Sequence, residues 1–338
     1  MSDALPNTLA EALADLVTAV DTSDDAVLDP DTATKWLEST ASCLGGLSAA
    51  DRRALDRLFR DAALRQPAGP RRDELLKVSE RLGLTDDAHA EYCDLVQSRV
   101  ESFVTLVRGA DPAIPVPTCP GWTLADLVEH HGTTHRWIEH LVRTRATERV
   151  RSGDVPLGLP DDPAAYPDWL AASAEASLRA LRAADPDTAL WSHGADPHLR
   201  FFPRRLLFEA VVHLADAELA LGRAPGRVDP GTAADGIEEF LDNLPYFSWV
   251  AEPVAQLGRD GESLRLAASD TGAAWTVTLG GGGFTWRRHA DGAATAAVEA
   301  TAGELLLLLY GRYAAHDPRF THSGDRAALD AWLRATAL

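Results

Sequence analysis

At 338 residues, with 46% hydrophobic and 25% charged side chains, the chain has the composition of a globular protein and the length for two or three domains. Its formal net charge of −19 argues against a nucleic-acid partner, because phosphate binding needs a basic face. The three cysteines, Cys43, Cys93 and Cys119, are widely spaced with no CxxC, which offers neither a disulfide framework nor a thiolate metal cage and fits a reducing compartment. The acidic first residues lack the basic start and apolar run of a signal peptide, and the longest apolar run, residues 305–310, is too short to span a bilayer. A cytoplasmic protein with no membrane partner is expected.

In chain order, residues 7–20 and 32–84 carry apolar side chains at three- and four-residue spacing and read as helices, broken by Pro67, Gly69 and Pro70 and closed by Gly83. Residues 1–84 are expected to form a small helical domain of unassigned role, with 83–87 as a linker. A second helical block runs from near Asp86 to about Gly109, with Tyr92, Val96, Val100, Phe103 and Val107 as its stripe. After a proline-rich loop, Thr123 caps a helix to about Arg145, with Asp126 in its first turn. Helices over 164–184 and 203–221 complete an antiparallel four-helix bundle within 85–245. Beyond Pro245 the alternation changes to that of strands at 263–268, 274–279, 284–289 and 294–300, followed by helices at 302–313 and from Arg326. The fold class is therefore mainly α plus α+β, with residues 246–338 as a separate α+β domain built on an antiparallel sheet.

The sharpest chemical signal is Glu209-Ala-Val-Val-His213. A Glu and a His four apart project from one helix face, one turn from each other, and both ligate zinc-like ions. On the helix begun by Thr123, either His130 or His131 points inward, and His135 is a further candidate. Two His and one Glu leave open coordination positions, the arrangement of catalytic metal sites. Spacing alone does not choose among the histidines. Arg204, Arg205 and Arg312 are candidates to meet a carboxylate-bearing substrate, or equally to form structural ion pairs. Arg312, emerging after Gly311, has little reason to be buried. The four glycines at 280–283 lack a following Gly-Lys-Ser/Thr and lie between two strands, so they read as a hairpin turn. Cys119, in a tight Pro-Gly loop, reads as structural.

Pro117-Thr118-Cys119-Pro120-Gly121-Trp122-Thr123, followed by Asp126-Leu127-Val128 and His130, resembles the segment that opens the second bundle helix of the mycothiol-dependent maleylpyruvate isomerase family. Arg204-Arg205, Glu209, His213 and Asp216-Ala217-Glu218 resemble the segment with that family's other two ligands. Residues 234–241, Asp270-Thr271-Gly272, Trp275-Thr276-Val277, 305–312 and Gly324-Asp325-Arg326 are similar to its later segments. The resemblance covers about 86–338 and departs at Leu214-Ala215, where the family often carries Arg-Trp. It implies a DinB-like four-helix bundle and a C-terminal sterol-carrier-like domain, and it selects His130, Glu209 and His213 as metal ligands.

It further implies a divalent metal, zinc first, and mycothiol as thiol cofactor or co-substrate. A free thiol of pKa about 8.5 is mostly protonated at neutral pH and becomes a thiolate on a divalent cation. That thiolate would add to an electrophilic small molecule, with Arg312 and Arg205 as catalytic residues. The outcome is either isomerisation of a maleylpyruvate-like substrate or S-transfer. Two other readings predict different behaviour. A non-catalytic metal or thiol sensor would bind thiol without turnover, while a metal-dependent hydrolase would need no thiol. Residues 1–84 are left to a protein partner or to self-association.

Overall fold

The computed structural model describes residues 4–45, 47, 49–67, 69–288 and 294–338. The chain divides into two compact units, residues 1–91 and 92–338.

Among its described residues the first unit is built of helices joined by turns, with no strand. Helix α1 spans Ala4–Asp21, α2 Pro30–Gly45, α3 Ala49–Leu64, α4 Pro70–Leu76 and α5 Val78–Arg81. Ala10, Ala14 and Val17 of α1 share a core with Phe59, Ala63, Leu75, Val78, Leu82 and Leu84. The expected break falls where Gly69 takes φ 152° and Pro70 opens α4, a position whose missing N–H costs the helix nothing. The expected linker at 83–87 is different. Gly83 turns the chain at φ 66°, and α6 (Leu84–Val107) begins at the next residue and runs into the second unit. Leu84 is buried in the first unit's core, so the chain has an apolar reason to stay helical there.

In the second unit α6 packs with α7 (Leu124–Thr144), α8 (Tyr166–Ala183) and α9 (Phe201–Ala220) as the expected four-helix bundle. Thr123 and Asp126 form a full capping box at the start of α7, which satisfies two otherwise orphaned amides and fixes where the helix begins. Gly132 lets α7 and α8 approach closely, since a Cβ there would lie 2.1 Å from Trp169 Cζ3. Helix α10 (Pro230–Asn243) is buried along most of its length although it carries Asp235, Glu238 and Glu239. Each acid has a partner: Asp235 meets Arg204 and Tyr92, Glu238 accepts from Trp275 Nε1, and Glu239 meets Arg205. α11 spans Ser248–Ala255.

The sheet that follows is mixed, which corrects the antiparallel expectation. Strands β1 (Ser263–Ala268), β2 (Ala274–Gly280), β3 (Gly283–Arg288), β4 (Ala296–Ala300) and β5 (Thr321–Gly324) lie in the order β3-β2-β1-β4-β5. β4 returns beside β1 and runs parallel to it, while the other neighbours are antiparallel. The glycine run turns β2 into β3, with Gly280 opposite Gly283 in register, as expected of a hairpin. His289, expected at the end of a strand, lies outside the described residues. β5 was not expected, because a mostly exposed Thr-His-Ser-Gly has no apolar alternation. Helix α12 (Ala302–Leu309), shorter than the expected 302–313, ends where Gly311 takes φ 74°, and its leucines are buried against α10 and the sheet. α13 spans Arg326–Ala335. Among the described residues no helix is long and apolar enough to cross a membrane.

Candidate metal centre

One face of α9 carries Arg205, Glu209 and His213 at four-residue steps, with Asp216 three residues further on. Arg205 Nη2 donates to Glu209 Oε1 at 2.9 Å. The other carboxylate oxygen, Oε2, lies 3.0 Å from His213 Nε2, and His213 Nδ1 lies 2.9 Å from Asp216 Oδ2. His130 of α7 faces this row, its ring 5.0 Å from that of His213 and 5.1 Å from Trp122. One donor atom from each of His130, Glu209 and His213 lies within 4.8 Å of the others. A single ion with bonds of about 2.0–2.2 Å would draw them together by modest side-chain rotation.

The set fits a divalent cation in chemistry as well as in spacing. His213 has one ring nitrogen engaged by Asp216, which leaves Nε2 turned toward Glu209 and His130. Such a carboxylate behind a histidine fixes its tautomer and orientation in metal sites. Burial, reinforced by the charge of His213, lowers the pKa of His130, so it is a neutral imidazole able to ligate at pH 7. Burial opposes the charge on Glu209, but Arg205 and His213 overcome it and hold its carboxyl well below the usual range. His213 is likewise opposed by burial, yet its hydrogen bonds to Asp216 and Glu209 raise its pKa.

Asp216 is the residue that sequence reasoning left without a role. It is fully buried and accepts from Thr118 Oγ1 at 2.6 Å and from Arg312 Nε and Nη2 at 2.9 and 2.8 Å. Burial alone would raise its pKa; the hydrogen bonds from His213 and Arg312 push it far below the usual carboxylate range. An acid three residues after His213, on the same helix face, was the available signal. Its partners were not, since Thr118 and Arg312 lie 98 and 96 residues away.

The expectation that Arg312 escapes burial is therefore corrected. Its side chain is 8% exposed and its fork is occupied by Asp216, because a buried carboxylate needs a cation more than solvent does. Arg205 is also buried, with Nη1 on both oxygens of Glu239 and on Tyr310 Oη. Arg204 lies with Asp235 and Asp242. His131 and His135 are both fully buried beside the site and not in the donor set. His131 packs edge-on to Phe103, and His135 Nδ1 lies 2.7 Å from Ser177 Oγ. The Cys119 thiol, pushed up by burial and by Asp216, stays protonated.

A helix bundle whose facing helices bring two histidines and a glutamate together, with a carboxylate behind one histidine, has the form of a bundle that holds a divalent ion. The profile of the mycothiol maleylpyruvate isomerase N-terminal domain matches residues 93–218, and that of the MDMPI C-terminal domain matches 231–331. The chain belongs to the mycothiol-dependent maleylpyruvate isomerase family. Among solved structures, a mycothiol-dependent maleylpyruvate isomerase is 15% identical, with a TM-score of 0.48 over 70% of this chain and 92% of its own. A histidine-to-alanine mutant of such an isomerase gives 16% and 0.49 over the same shares. A stereoselective inverting sec-alkylsulfatase from Pseudomonas sp. gives 15% and 0.27 over 91% of this chain and 44% of its own. No curated protein matches the chain.

Proposed function

We propose that this chain is a mycothiol-using enzyme in which His130, Glu209 and His213 hold one divalent ion, zinc foremost, and that it acts on an electrophilic small molecule as an isomerase or a thiol S-transferase. The observation that carries the reading is the convergence of the three donor atoms within 4.8 Å on the faces of two bundle helices. A bound divalent cation supplies one thing there: it takes the thiol of mycothiol as a thiolate at neutral pH.

The chain's own residues prepare that event. Asp216 holds His213 through Nδ1, so that Nε2 would present its lone pair to an ion that displaces the proton it shares with Glu209. Thr118 and Arg312 keep Asp216 ionised and in place. Arg205 engages Glu209 Oε1 and so directs Oε2 toward the histidines. Arg312 and Arg205 are thus proposed to act through the ligands as positioning residues. We also propose three domains, 1–84, 85–245 and 246–338, with all three ligands in the second. Self-association through 1–84 is supported by Leu5, Leu9 and Leu16 of α1, which are more than half exposed.

The test is elemental analysis joined to a thiol assay. Purified protein is expected to hold about one divalent ion per chain and to consume mycothiol, or turn over only in its presence. Absence of metal after metal-replete growth would overturn the reading, and turnover without thiol would convert it to a hydrolase.

A further inference from the structure

Helix α6 borders two cavities, each of about 780 Å³, and the arginines that line them behave differently. The cavity between α6 and α8 carries Arg108, Arg179 and Arg182. Each has an acid: Arg108 meets Asp168 at 2.6 Å, Arg179 meets Glu175 at 2.6 Å and Arg182 meets Asp94 at 2.7 Å. In a chain with 51 acidic and 32 basic residues that is the ordinary fate of a surface cation.

The other cavity is framed by α6, the end of α9, the loop after α9 and Leu307 of α12. It is lined by Arg99, Arg223 and Arg227, and among the described residues none of these guanidinium groups has a hydrogen bond or an ion pair. Two carboxylates line the same cavity and are turned to other donors. Glu101 Oε1 accepts from Gln97 Nε2 at 2.9 Å, and Glu218 Oε2 accepts from the Gly226 amide at 2.7 Å. Three cations therefore share one open space with no acid within ion-pair distance.

The loop holds two of them in place. Gly222 takes φ 71°, and the Arg223 amide donates to Glu218 O at 2.8 Å, which closes the end of α9 in a left-handed glycine turn. With Gly226 held by the Glu218 side chain, Arg223 and Arg227 project from a fixed turn, and a ligand would order only their side chains. The helix dipole favours a cation just past the end of α9, which accounts for Arg223 and not for Arg99 or Arg227.

The donor count selects the ligand. A guanidinium fork matches a pair of oxygens on a carboxylate or a phosphate. Three forks offer more donors than the two oxygens of a carboxylate can use, whereas a phosphate monoester has three free oxygens. Ser98 and Thr105 add hydroxyls to the same wall, and Leu214 and Leu307 give it an apolar floor. A polyanion is disfavoured, because a chain of net charge −19 would repel it everywhere else.

We propose that this cavity binds a small phosphate monoester, with Arg99, Arg223 and Arg227 on the phosphate oxygens and Leu214 and Leu307 under the organic part. Val211, Leu214 and Glu218 line it from the side of α9 turned away from Glu209 and His213, so the site is separate from the metal centre.

The test is calorimetric titration of the full chain, as purified, with phenyl phosphate and separately with phenol. Phenyl phosphate is expected to bind, and phenol, which has no charge for the arginines, to bind about tenfold more weakly or not at all. Arg223→Gln and Arg227→Gln, both at exposed positions, are each expected to weaken phenyl phosphate by about tenfold. Arg108→Gln, in the cavity where every arginine is paired, is expected to leave it unchanged. A divalent ion would also attract phosphate, so His213→Ala is the control for the metal centre and is expected to bind phenyl phosphate as the parent does. Phenyl phosphate binding no tighter than phenol, equal losses in Arg108→Gln and Arg227→Gln, or loss of binding in His213→Ala would each overturn the proposal.

Discussion

Asp216→Asn is nearly isosteric and isolates what the carboxylate does. Asp216 is fully buried, and the Arg312 side chain facing it is 8% exposed, so solvent cannot take over the lost charge. Removing one member of a buried ion pair costs about 3–5 kcal/mol, because the remaining charge is left unpaired. Asn keeps a carbonyl acceptor for one donor, so the low end, about 3 kcal/mol, is expected in urea denaturation of metal-free protein. A second effect falls on the metal. Without its carboxylate, His213 loses the anchor on Nδ1, and loss of such a partner weakens metal binding about 10–100-fold. Chelator competition reads that change directly. Adding Arg312→Met to Asp216→Asn removes the stranded guanidinium and should recover at least half of the lost stability without restoring metal affinity. The reasoning fails if Asp216→Asn keeps metal affinity within twofold, or if the double variant is less stable than the single one.

Three further outcomes follow from the same structure. His213→Ala should lose the metal yet keep its helical circular dichroism, and added zinc should raise the melting temperature of the parent but not of the variant; equal shifts in both would move the ion elsewhere. Gly132→Val, whose Cβ would meet Trp169 at 2.1 Å, should destabilise by about 1–3 kcal/mol in urea and loosen metal binding, because α7 carries His130; unchanged stability would mean that α7 and α8 separate freely. Thiol labelling of native protein at pH 8 should mark exposed Cys43 quickly and spare both Cys93, pushed up to about 11 by burial, and Cys119, also raised by burial; rapid labelling of three thiols would contradict the packing.

What the sequence revealed was local, and what it hid was distant. The Thr123–Asp126 cap, the Glu209–His213 pair and the glycine turn at 280–283 are each written within five residues, and the structure places them as expected. The choice of His130 over His131 needed the family resemblance, since adjacent residues 100° apart can both face inward on a helix, and in the bundle both do. Burial of Arg312 could not be read from the helix that precedes it, because it depends on Asp216 being buried 96 residues earlier. The parallel pairing of β1 with β4 is set by which strand edge is free when the chain returns, and the period of either strand carries no trace of that. Nothing local to α10 shows that its acids are buried, and their partners Arg204, Arg205 and Trp275, all distant in sequence, make that burial tolerable.

The central claim is most directly tested by X-ray absorption at the zinc edge on zinc-loaded protein, before and after mycothiol is added. The predicted first shell before addition is nitrogen and oxygen only, at about 2.0–2.2 Å, with two imidazoles among the ligands. After addition, one sulfur at about 2.3 Å should enter the shell, and Glu209→Gln should prevent the metal from loading at all. A shell that mycothiol leaves unchanged, or zinc that stays bound in Glu209→Gln with the same spectrum, would contradict the claim.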